Sequence, residues 1–190
     1  MQPSGMNTQP IGTPIELPPL TPRSAAPSSV TQGTVMLALD APSTVKVGQQ
    51  FSVVIMVQAG AQPLTGVSAS LNFDPRYLEV VSVEGGTPMP ADTSPDVVKK
   101  AESSSSMKLP LVLASKFDNK LGTVDYAAGV LMGARPTGTF PLATMHFRAK
   151  ATSSATEVSF STTPPRVSDA TFDGPSLLKG VTTARISIQP

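Results

Sequence analysis

The chain contains no cysteine and no tryptophan, and a single histidine. The first absence excludes disulfides, thiolate metal sites and a cysteine nucleophile. One histidine leaves no pair for a metal, and a Ser-His-Asp triad would have to use His146. Charge is scarce: 14% of residues are charged, and fourteen basic against thirteen acidic residues give a net charge of +1. Nucleic acid and anionic lipid both need a concentrated basic field, so neither is an expected partner. No apolar run approaches the roughly 18 residues of a membrane-spanning helix, so membrane insertion is not expected. The opening MQPSGMNTQP has neither a basic nor an apolar region of the signal-peptide kind. If the domain is exported, the chain is expected to be a mature fragment or an excised piece.

What is abundant is turn-forming residues, with fourteen glycines and twenty prolines in 190 residues. This length suits one sandwich domain with a real core and a tail. Seven of the first thirty residues are proline, and Glu16 and Arg23 are the only charges there. Such a stretch buries too little surface to offset its ordering entropy, so residues 1–33 are predicted to be a disordered, proline-rich linker. The domain is expected over 34–190.

The centre of that domain is Gly66 to Gly85. Val67, Ala69, Leu71 and Phe73 alternate with Ser68, Ser70 and Asn72, the period-two signature of a half-buried strand. Asp74-Pro75 breaks the strand, since Pro75 has no N–H and the Asp74 carboxylate can bond the turn backbone. The apolar run resumes at Tyr77 and continues to Val83, so a strand, a corner and a second strand are predicted. Upstream, Val35 to Leu39 and Phe51 to Val57 alternate in the same way. Val54 and Met56 make the latter apolar on both faces, which predicts a central strand. Residues 85–108 are predicted to be a long surface loop. Within it Ser94-Pro95-Asp96 is a helix start, with Ser as N-cap, Pro at N1 and an acid near the positive dipole end. Further strands are expected at 121–126, 129–132, 140–149, 157–161, 166–172 and 181–188. Short strands so punctuated predict an all-β sandwich or jelly roll.

No catalytic constellation is present. His146 lies mid-strand in phase with Thr144 and Arg148, and Asp118 and Asp125 are a carboxylate pair without a signature. No phosphate loop or G-x-S-x-G occurs. Asp40, Asp74, Asp118, Asp169 and Asp173 fall at strand ends, where they read as turn caps; the D-x-D-x-D-G spacing of a calcium loop is missing, so neither a metal nor a cofactor is expected. Sugar-binding sandwiches present flat aromatic rings, and only Tyr77 and Tyr126 offer themselves, most phenylalanines falling in inward phase.

The corner also carries a family resemblance. Phe73-Asp74-Pro75-Arg76-Tyr77-Leu78-Glu79-Val80, followed by a glycine pair, resembles the corner motif of cohesin domains. A first strand, Val45-Lys46-Val47-Gly48 and a strand opening on Phe51 are similar to the way such domains begin. Gly138-Thr139-Phe140 leading into Leu142-Ala143-Thr144-Met145-His146-Phe147 is similar to a late cohesin strand. The resemblance runs over 34–189, apart from 85–108. It implies a two-sheet β-sandwich of jelly-roll topology with about nine strands, and a non-catalytic protein-interaction module. By position it assigns partner contact to Ser68, Ser70 and Asn72, with Asp74 at the rim. The implied partner is another protein, dockerin-like or an envelope component. The implied setting is extracellular, cell-surface or periplasmic, on a scaffoldin or on a secretion-system or surface protein. Rival expectations are a carbohydrate-binding module, with a polysaccharide partner, and a structural domain.

Overall fold

A computed structural model describes residues 33–88, 93–103 and 107–190. The expected linker therefore lies outside the described residues, apart from Gly33. The rest is a sandwich of two mixed sheets. In chain order the elements are β1 (Val35–Asp40), β2 (Thr44–Lys46), β3 (Gln50–Gln58), β4 (Gly66–Phe73), β5 (Leu78–Glu84), β6 (Thr87–Pro88) and helix α1 (Pro95–Ser103). They continue with β7 (Leu111–Asp118), β8 (Thr123–Gly129), β9 (Thr139–Ala149), β10 (Ser153–Phe160), β11 (Thr162–Thr163), β12 (Arg166–Val167), β13 (Asp169–Thr171), β14 (Leu178–Thr182) and β15 (Ala184–Gln189). One sheet runs β14-β1-β3-β9-β5; the other runs β2-β15-β10-β4-β8-β7-β6, with β13 also paired to β4. Apart from the β7–β8 hairpin, most neighbours in each sheet come from distant parts of the chain, the interleaving of a jelly roll. Most pairs are antiparallel, but β1–β14, β2–β15 and β6–β7 are parallel.

Alternation builds the core. Val67, Ala69, Leu71 and Phe73 are buried, as are Phe51, Val53, Ile55 and Val57 on the facing sheet. Phe147 joins the layers, stacked on Phe51 at 5.9 Å and edge-on to Phe73 at 5.4 Å. The strand expected to be central, β3, lies between β1 and β9. Asp74-Pro75 carries the chain from one sheet to the other. The Asp74 Oδ1 accepts the Arg76 N–H at 2.9 Å, and its carbonyl accepts those of Tyr77 and Leu78.

Several segments differ from the sequence reading; the strand expected at 181–188 is divided between β14 and β15, in different sheets, and β6 falls within the expected 85–108 loop. Of the two strands expected at 121–126 and 129–132 only one forms, β8, which ends at Gly129. Gly122 turns the β7–β8 hairpin at φ +68° and lends its carbonyl to Phe73 N–H, which delays the strand start. At the far end, the N–H groups of Leu131 and Met132 go to the Glu102 carboxylate of α1, at 2.6 and 3.0 Å, instead of to a ladder. The strand expected at 166–172 is split into β12 and β13, because Ser168 turns aside to β4. The described residues hold fifteen strand segments, five of them only two or three residues long, where about nine strands were expected. The expected helix start at Ser94-Pro95 opens α1, with Val98 N–H bonded to Ser94 O at 3.0 Å.

Candidate partner-binding face

The outer face of β10-β4-β8-β7 includes the positions to which the family resemblance assigned partner contact. Strand β4 is bonded to β8 along its whole length on one side. On the other it is bonded first to β13, at Gly66 to Ser68, and then to β10, at Leu71 to Phe73. Between those two partners the chain leaves the sheet as a hairpin, 161–168, built on β11 and β12.

Ser70 faces that gap, and its backbone groups would be orphaned there. Ser168 supplies what the missing strand residue would: its hydroxyl bridges Ser70 N–H and Ser70 O at 3.0 Å each, while Ser161 N–H donates to the same carbonyl at 2.7 Å. The base closes through Ser168 N–H to Ser161 O at 2.7 Å.

The tip folds back through Arg166. Its Nε donates to Asp125 Oδ1 at 3.0 Å, and its terminal nitrogens reach Asn72 Oδ1 and the carbonyls of Leu71 and Val124. Five N–H donors in a planar fork allow one side chain to tie β4, β8 and the hairpin together. Burial acts to raise the Asp125 carboxyl; hydrogen bonds from Arg166 and the Ser70 hydroxyl, with the Arg166 and Lys116 charges, outweigh it and hold the carboxyl below the usual aspartate value.

The four sequence-derived contact residues therefore divide. Asn72 is exposed and Ser68 half-buried, both on this face. Asp74 is at its end, held by Arg76 in an exposed ion pair of 2.6 Å that, led by the side-chain hydrogen bond, lowers its carboxyl. Ser70 shares the outward phase but not the exposure: it is only 8% accessible, because the hairpin covers it. Its hydroxyl is bonded to Asp125 and is not offered to a partner. Sequence pattern missed Arg166, Val167, Leu113 and Lys116. Val167 and Leu113 are exposed apolar residues, and only the unusual Pro164-Pro165 dipeptide beside Arg166 hinted at a projecting turn.

The other candidate side chains lie elsewhere. Tyr126 is buried, its phenol oxygen accepting Gly86 N–H at 3.1 Å, and burial pushes its phenol pKa above the ordinary tyrosine value. Tyr77 packs half-buried against the core with Arg76 over its ring, leaving Phe117, 45% accessible, as an isolated exposed ring. His146 is on the opposite face of the sandwich, its Nδ1 3.2 Å from Ser52 Oγ and its Nε2 3.3 Å from Glu84 Oε1. Asp118 caps the β7–β8 turn through Lys120 and Leu121 N–H, which lower its carboxyl. Among the described residues no three acids or histidines gather as a metal site.

The sequence profile of the cohesin domain matches residues 35–171, and the chain belongs to that family of non-catalytic protein-binding modules. The fold is similar to the third cohesin of ScaC from Acetivibrio cellulolyticus, solved with a ScaB dockerin (TM-score 0.61, 14% identity, 81% of this chain and 98% of that one). It is also similar to a cohesin of Clostridium acetobutylicum (0.58, 16%, 84% and 94%) and to a type II cohesin from the A. cellulolyticus cellulosome (0.58, 13%, 80% and 95%). No curated protein sequence matches the chain.

Proposed function

We propose that this chain is an assembly module of an exported bacterial protein that binds a dockerin-like protein through the outer face of β10-β4-β8-β7. Ser68, Asn72 and Asp74 contact the partner, and Ser70 acts from beneath by holding Asp125. The observation that carries the reading is the Arg166 brace. It fixes the hairpin on the central strands, so Asn72, Ser68 and Val167 belong to one rigid surface and little ordering entropy is lost on docking. Exported proteins of cellulosomal, secretion-system or surface type are the settings consistent with it, with an envelope component as the non-dockerin form of partner. A polysaccharide is disfavoured because Tyr126 is buried and the exposed ring of Phe117 stands alone.

The test is retention of purified type I and type II dockerin modules on the immobilised chain, alongside a variant carrying Ser68→Arg and Asn72→Arg. Capture by the native chain, weakened about tenfold or more in the variant while the variant stays folded, is expected, a loss of about 1.4 kcal/mol. Equal capture moves the contact off this face. Retention on a polysaccharide column with no dockerin bound overturns the reading.

A further inference from the structure

The same outer face contains a hollow of about 200 Å³ lined by Gly66, Val67, Ser68, Leu113, Ala127, Ala128, Asp169 and Thr171. We propose that this hollow is a socket for one long cationic side chain, lysine or arginine, of the docking partner. The proposal rests on the reading above for the identity of the face.

The hollow arises from register. Ser68 lies beside Ala127 on one side and Asp169 on the other, and Gly66 lies beside Gly129 and Thr171. Small side chains on β4 and β8 leave a low floor. Leu113, displaced by the β7 irregularity between Val112 and Ala114 and 52% accessible, forms one wall; β13 forms the other. A Cβ added to Gly129 would stand 3.5 Å from Leu113 Cδ1, so the floor is low where the wall is high.

Size and charge select the occupant. Small-molecule pockets generally span about 300–1,000 Å³, so this one suits a single side chain better than a cofactor or sugar. Its walls are apolar and carry one charge, Asp169, the arrangement that takes an aliphatic stem along the floor and a cationic head at the rim. The Asp169 carboxylate is already oriented, its Oδ1 accepting Ser176 Oγ at 2.6 Å and Ala170 N–H at 2.8 Å. It differs from Asp74 and Asp125 in its pairing. Asp74 has Arg76 and Asp125 has Arg166, whereas Asp169 has no ion-pair partner among the described residues. A carboxylate has about four lone-pair sites, and a cation from outside would complete this one.

The experiment titrates the isotope-labelled full chain with n-butylammonium and N-butylguanidinium, against neutral N-butylurea and anionic butyrate, following backbone amides. Saturable shifts centred on Ser68, Ala127, Asp169 and Thr171 are expected for both cations, at least about threefold tighter than for the urea. Asp169→Asn, which keeps the Oδ1 contacts to Ser176 and Ala170, is expected to abolish the cation preference. Ala127→Leu, which fills the floor and leaves Asp169 in place, is expected to abolish binding. Shifts that do not depend on charge, or that centre on the Asp74 corner, overturn the socket. Dockerin capture with no cation bound in the hollow sinks the socket alone. Cation binding with no protein captured sinks the docking reading and leaves the socket standing.

Discussion

Arg166 and Asp125 are 41 residues apart in sequence and joined across two strands, with the guanidinium Nε 3.0 Å from the carboxylate Oδ1. The guanidinium also caps two backbone carbonyls and Asn72, so the pair sets the shape of this outer face as well as its charge.

Arg166→Ala is therefore expected to free hairpin 161–168 while the sandwich persists. The loss should be about 1–3 kcal/mol, the range for leaving partners of a charged hydrogen-bond donor unsatisfied, tempered by their partial exposure. Hydrogen exchange checks it: amides in 161–168 should speed up, while those of β3 and β9 stay protected. Arg166→Lys should rescue only part, since an ammonium cannot reproduce the fork.

Acid should act on the same contact. The Asp125 carboxyl is lowered in the folded state, so its contribution is fully present above the unfolded value near 3.9 and is lost as pH falls through the lower folded value. Asp74 and Asp118 shift in the same direction. Stability is thus expected to be flat with respect to these groups from about pH 5 to 7 and to fall below about pH 4. Denaturant midpoints across that range test it; in Asp125→Asn the acid-side decline should be shallower.

Asn119 stitches the sheets together. From the β7–β8 turn its Oδ1 accepts Val80 N–H at 2.7 Å and its Nδ2 donates to Val80 O at 2.9 Å, at the β5 irregularity where the ladder to β9 breaks step. Asn119→Ala leaves both backbone groups half-buried without that partner and should cost about 1–3 kcal/mol. Chemical denaturation measures it. Asn119→Asp, which cannot donate to Val80 O, should recover only part.

Glu102 anchors α1 to the end of β8 through the Leu131 and Met132 N–H groups. Glu102→Ala is expected to loosen the helix, with faster exchange in 95–103 and at 131–132 and a loss of about 1–3 kcal/mol. Glu102→Gln retains a carbonyl acceptor and should fall between. Unchanged exchange in both variants would show that Val98 burial alone holds the helix.

Much of the fold was legible in local pattern. Val67, Ala69, Leu71 and Phe73 announce a strand because pleating sends alternate side chains to opposite faces. Asp74-Pro75 announces a corner because proline cannot continue the ladder. Ser94-Pro95-Asp96 announces a helix start because each residue satisfies or tolerates an orphaned N–H. Strand ends were less legible where a remote group intercepts the backbone, as Glu102 does beyond β8. For the candidate face, the outward phase of Ser68 and Asn72 and the corner position of Asp74 were legible, while their assignment as contacts came from the family resemblance; Ser70 shares the phase, but its cover arrives from residues 161–168.

Inward and outward phase, the turn positions and the poverty of charge were dictated by the chain's own order, because backbone geometry and proline chemistry act over a few residues. Which outward groups remain reachable was decided only by folding. The partners of Ser70, Asp125 and Val80 come from 39 to 98 positions away. The hollow beside Asp169 likewise exists only because small residues of β4 and β8 are brought between walls supplied by β7 and β13.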